Sequence, residues 1–201
     1  MTLFQKAQES FIAEEAAKLF FATSINEVTF KSLASHLGIG EATLYRRYGT
    51  KVNLVLSVAS YLQGQVFDQF FPKDTNLSGY QIVEHFYYSF LNIFINTPAY
   101  YKFINEFDAL MVNTTEEMHL YEEGIASFKS SFDEAYKKGV EDDSIQVIDN
   151  IDDFYFATTH ALMGLCKKLA YQNVISQDFK IDKVGEIKVL IETILYRLKK
   201  Q

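Results

Sequence analysis

Cysteine is nearly absent from this 201-residue chain, and the single thiol at Cys166 cannot close an internal disulfide. That fits a reducing compartment, and the cytoplasm is the expected location. The four histidines, at 36, 85, 119 and 160, include no i, i+4 pair, and no CxxC accompanies Cys166, so no metal site and no cofactor is expected. Proline occurs only at 72 and 98, and no useful length of chain alternates apolar with polar residues, which argues against strands. Long charge-free apolar runs are missing too. Lys6, Glu9, Glu14, Glu15 and Lys18 interrupt the first twenty residues, so neither a signal-peptide core nor a membrane span is expected there or elsewhere. Gly-rich phosphate loops, HExxH and nucleophile elbows are likewise absent, so the chain is not expected to be an enzyme.

What is present is helical periodicity, with 48% hydrophobic residues available for a core. Phe30, Leu33, Ala34 and Leu37 fall at i, i+3, i+4, i+7, and Ile187, Leu190, Ile191, Ile194, Leu195 and Leu198 form a second such stripe. Both prolines lie in breaks, and Thr114 with Glu117 stand at capping-box spacing before a helix running to about Lys138. Helices at roughly 152–173 and 181–199 complete an all-α reading.

Charge divides the chain unevenly. Residues 1–60 hold six Lys/Arg against five Asp/Glu, and the remainder holds thirteen against twenty-one, for a net charge of -7. Between 29 and 51, Lys31, Arg46, Arg47 and Lys51 oppose only Glu41, leaving a small basic surface suited to a polyanion. In the same stretch, "TFKSLASHL", "GIG" and "EATLYRR" read as helix, tight turn and helix. Ala34 is small where the helices cross, Gly38 can take the left-handed turn conformation, and Leu44 is the apolar peg between them.

Residues 12–59, "IAEEAAKLFFATSINEVTFKSLASHLGIGEATLYRRYGTKVNLVLSVA", resemble the DNA-binding region of TetR-type (TetR/AcrR) transcriptional regulators. The likeness rests on a helix of about two turns before the motif, on Thr29 opening its first helix, and on Thr43, Leu44, Tyr45, Tyr48 and Lys51. It implies a three-helix helix-turn-helix domain at 1–50 and a helical effector-binding and dimerisation domain at 51–201 that starts with a connecting helix. It also implies a homodimer that binds a near-palindromic double-stranded operator, usually to repress, and is released by a small molecule.

By the same resemblance, Thr29, Tyr45 and Lys51 would bind phosphates, while Glu41, Ala42, Thr43, Arg46 and Arg47 lie on or beside the helix entering the major groove. Glu41 and Gly49 depart from the family's usual residues there. Tyr87, Phe90, Phe94, Phe103, Phe107, Phe128, Phe132, Phe156 and His160 fall on helices that the family packs around its effector cavity, which favours an apolar or aromatic ligand oriented by His85 or His160. Plain core packing remains the alternative for these rings. Apolar residues nearly encircle the chain between Phe154 and Leu169, so Leu162, Leu165, Leu169, Leu190, Ile194 and Leu198 are nominated for a four-helix dimer interface. A helical ligand-binding or adaptor protein without operator binding is the competing reading.

Overall fold

Thr29 begins the motif as a capping box: its hydroxyl accepts from the Ser32 amide while the Ser32 hydroxyl accepts from the Thr29 amide. The helix that follows, α2 (Phe30–Leu37), ends at Gly38, whose φ of 67° is left-handed and whose turn returns amides to the Ala34 and Ser35 carbonyls. This computed structural model describes residues 3–74, 76–112, 114, 118–171 and 182–200. Among them lie α1 (Leu3–Ala22), α2, α3 (Glu41–Tyr48), α4 (Lys51–Phe70), α5 (Gly79–Asn96), α6 (Pro98–Met111), α7 (His119–Glu141), α8 (Ile151–Ala170) and α9 (Lys183–Leu198). The described residues hold no strand, only an isolated antiparallel bridge between Ile145 and Lys199. No described helix is long and apolar enough to cross a membrane.

Two compact units form, the first from Met1–Val66 with Lys102–Gly124, the second from Phe67–Tyr101 with Ile125–Gln201. The contacts therefore divide the chain differently from the expected boundary at residue 50. α4 packs with the first unit as far as Val66, and the chain returns to that unit at Lys102. The helix before the motif is also longer than expected, at twenty residues. Glu117, half of the expected capping box, lies outside the described residues, as do the helix ends placed at 173 and 181.

In the first unit, Ala16, Leu33 and Leu44 are fully buried where α1, α2 and α3 meet. Each buried leucine contributes roughly 1.5–3 kcal/mol, enough to hold helices of eight residues that would not persist alone. Phe20 stacks on Phe103, and the Glu106 carboxylate accepts from the Ile25 amide at 2.6 Å, closing the end of α1. Gly38→Ala tests the turn. A Cβ there meets open space, so the cost is conformational, and urea denaturation should show a loss of about 1–2 kcal/mol.

In the second unit, α5, α8 and α9 pack pairwise. Its centre is aromatic: Phe86 meets Phe70, Tyr87, Phe90 and Phe132 edge-on at centroid distances of 5.2–5.7 Å. The buried hydroxyls are satisfied, Tyr87 with Thr158 and Tyr101 donating to the Phe90 carbonyl, each at 2.8 Å. Burial pushes the Tyr101 phenol well up and the Cys166 thiol up to about 12, so neither ionises near neutrality.

Candidate nucleic-acid interface

The outward face of α3 carries the chemistry. Its N-cap, Gly40, offers no side-chain hydrogen bond, and Glu41 occupies the first turn, where a carboxylate is favoured by the helix dipole. Ala42, Tyr45 and Arg46 are exposed, and Glu41 and Thr43 are half-buried beside them. The Tyr45 ring packs edge-on against Phe30 with centroids 4.6 Å apart yet stays 54% exposed, so it is braced from behind and open in front. Thr29 sits exposed at the start of α2. Lys51 opens α4, half-buried, donating to the Asn26 carbonyl at 3.2 Å, with burial pulling its ammonium below the usual lysine value.

This face offers a guanidinium for guanine or phosphate, neutral hydroxyls for phosphate oxygens, and the Ala42 methyl for apolar contact with a thymine methyl. Arg47, on the same helix, is less open than Arg46. It is half-buried, and its Nη2 donates at 2.7 Å to Gln8 on α1. One residue of helix turns a side chain by about 100°, which carries Arg47 from the face of Arg46 round to the flank. Ser32, Gln8 and Asn53, whose side-chain amide donates to the Tyr48 carbonyl, support these residues from behind. Only the T-x-x-S spacing of Thr29 and Ser32 signals one of them in sequence.

The nine effector candidates are not brought together. Phe103 and Phe107 belong to the first unit, where Phe107 packs on Tyr121. Tyr87, Phe90, Phe128 and Phe132 join the aromatic centre of the second, and Phe94 lies against Tyr101. Phe156 and His160 face outward on α8, with their rings 5.9 Å apart. His85 is spent on the Gln69 carbonyl at 2.8 Å.

The dimer nominations need correction. Leu162, Leu169, Ile194 and Leu198 are buried within their own unit, and only Leu165 and Leu190 are half-exposed. Those four leave almost no surface to offer, because the aliphatic arcs of α8 and α9 face each other and α5. The outward arcs hold Phe156, His160, Met163 and Gly164 on α8, and Val189, Thr193 and Tyr196 on α9.

Residues 12–58 match the family model for bacterial regulatory proteins of the tetR family. No curated protein matches the chain in sequence. Solved structures do match along nearly the whole length. A TetR-family regulator from Agrobacterium tumefaciens superposes with a TM-score of 0.73 at 9% identity, covering 97% of this chain and 99% of its own. The ketosteroid regulator KstR2 of Mycobacterium tuberculosis gives 0.65 at 13% identity over 96% of each chain. FadR of Bacillus subtilis, solved with stearoyl-CoA, gives 0.65 at 12% identity over 92% of this chain and 97% of its own. At these identities the superpositions establish the fold alone, and the likeness in sequence to the tetR family is confined to residues 12–58, the segment that holds the helix-turn-helix.

Proposed function

We propose that this chain is a transcriptional regulator of the TetR family, a homodimeric repressor that holds a near-palindromic operator and releases it when a small molecule with an apolar or aromatic body binds. The observation that carries the reading is the exposed face of α3, with Ala42, Tyr45 and Arg46 flanked by Thr29 and Lys51, in a stretch from 29 to 51 whose only carboxylate is Glu41. A helix of eight residues exposing an arginine and a tyrosine has little packing reason to do so. In a two-fold dimer, paired α3 helices would enter successive major grooves about 34–36 Å apart. The ligands in structures of the same fold differ, stearoyl-CoA with the Bacillus subtilis regulator and choline with one from Saccharomonospora viridis, so fold alone does not choose an effector.

Selecting bound duplexes from a random pool tests the DNA reading, and inverted half-sites are expected; sequences without two-fold symmetry would refute the paired geometry. Arg46→Ala should cost about 1–3 kcal/mol at one base pair in each half-site. Lys51→Ala should weaken all sequences alike and lower the salt slope by roughly one for each phosphate that is no longer neutralised. Base preference unchanged by Arg46→Ala would remove Arg46 from the reading set.

A further inference from the structure

The first unit contains a cleft of about 680 Å³ lined by α1, α4, the last turn of α3 and the start of α7. Arg47 and Tyr48 both line it, and the Nη1 of Arg47 and the hydroxyl of Tyr48 are buried with no hydrogen-bond partner among the described residues. Leaving such groups unpaired normally costs a protein stability, and native structures retain them chiefly where something else supplies the partner. Tyr48 is only 6% exposed, so its hydroxyl is held among its neighbours, with Arg47 and Ser57 beside it.

Charge narrows the partner. Lys6 and Arg47 are cationic and Glu9 is anionic, so these groups leave the cleft with one net positive charge. A single carboxylate can accept from the guanidinium Nη1 and the phenol together and neutralise that excess, whereas a dianion would face Glu9 without compensation. The other walls include Ala13, Leu56 and Tyr61, which are suited to an apolar body, and the volume is that of an ordinary small-molecule site.

We infer that this cleft binds a monocarboxylic acid with an aryl or alkyl body, its carboxylate held by Arg47 and Tyr48. Both anchors lie in the last turn of α3, and Arg47 already ties that helix to α1 through Gln8. An occupied cleft therefore acts on the helix that meets DNA without needing the aromatic centre of the second unit to open. That regulatory consequence rests on the operator reading above; the binding site itself does not.

The test is calorimetric titration of the full-length protein with benzoate, phenylacetate, hexanoate and octanoate, each beside its neutral amide. At least one acid should bind, its amide should bind at least tenfold more weakly, and Arg47→Gln and Tyr48→Phe should each lose at least tenfold in affinity for it. Tyr48→Phe has a second readout. Because it deletes an unpaired buried hydroxyl, the free protein should melt about 2–4 °C higher, the opposite of what a hydroxyl kept for structure would give. No acid binding below about 10 mM, equal binding of acid and amide, or affinities untouched by both variants would overturn the site. Operator affinity is measured separately with and without the bound acid. Failure to bind any operator would sink the DNA reading and leave the titration to decide the cleft.

Discussion

Gly79→Ala is expected to disrupt the second unit, with a loss of about 3 kcal/mol or more in urea denaturation. A Cβ on Gly79, in the first turn of α5, would lie 2.0 Å from the Gly139 amide nitrogen, 2.2 Å from its Cα and 2.6 Å from the Ala135 carbonyl oxygen. All three are backbone atoms of α7, so no side chain can rotate out of the way; the helices must part. Parting them removes more than packing. The Gly79 amide donates to the Asp142 carboxylate at 2.8 Å and the Tyr80 amide to the Ser144 hydroxyl at 3.0 Å, so the turn after α7 caps the start of α5. Gly139 is confined in its turn by the Ile145 side chain, 2.4 Å from its own hypothetical Cβ. Gly164→Ala is the control, since a Cβ there meets nothing within 4 Å, and inside α8 it should raise stability by about 0.5–1 kcal/mol. An unaltered midpoint for Gly79→Ala would mean that α5 and α7 do not cross at these glycines.

The sequence makes the helix-turn-helix legible because its constraints are local. The cap at Thr29, the left-handed turn at Gly38 and the peg at Leu44 sit within sixteen residues and each depends on near neighbours. The bond from Arg47 to Gln8 is not legible in the same way: the two lie 39 residues apart, and nothing in the spacing of a polar residue on α1 announces the contact. Phe103 and Phe107 mislead because a reading in chain order assigns everything after residue 50 to one body, whereas the chain returns to the first unit at Lys102.

Of the residues nominated for the interface, Leu162, Leu169, Ile194 and Leu198 are buried within their own unit. Periodicity reveals that α8 and α9 carry more apolar surface than one contact needs, but not which arc faces home. Leucine and isoleucine occupy the inward arcs, where Leu162 and Leu198 are fully buried. The outward arcs took Phe156 on α8 and Val189 and Tyr196 on α9, mixed with Thr193, His160 and Gly164. A rule that prizes aliphatic residues selects mostly the arcs buried within the unit.

Val189→Asp is the substitution that bears on the proposed homodimer. Val189 is 63% exposed and Tyr196 73%, while Phe156 on α8 is 44% exposed, so these helices present apolar surface with no partner in their own unit. A two-fold contact between copies is isologous, and one substitution therefore enters the interface twice, once from each protomer. Burying or opposing two carboxylates there costs several kcal/mol, and the dimer dissociation constant should rise at least a hundredfold, about 2.7 kcal/mol. Folding of the protomer should be unaffected because Val189 touches little of its own core; Leu162→Asp, placing a charge in a fully buried site, should instead unfold the unit. Sedimentation velocity across a concentration series reads the assembly. Operator binding should fall with it, because separating the protomers turns one two-site event into two independent ones and forfeits the effective concentration of the second α3. If Val189→Asp leaves the dimer intact, the copies meet through another surface. If it yields monomers that still hold the operator at parental affinity, the two α3 helices are not acting as a pair.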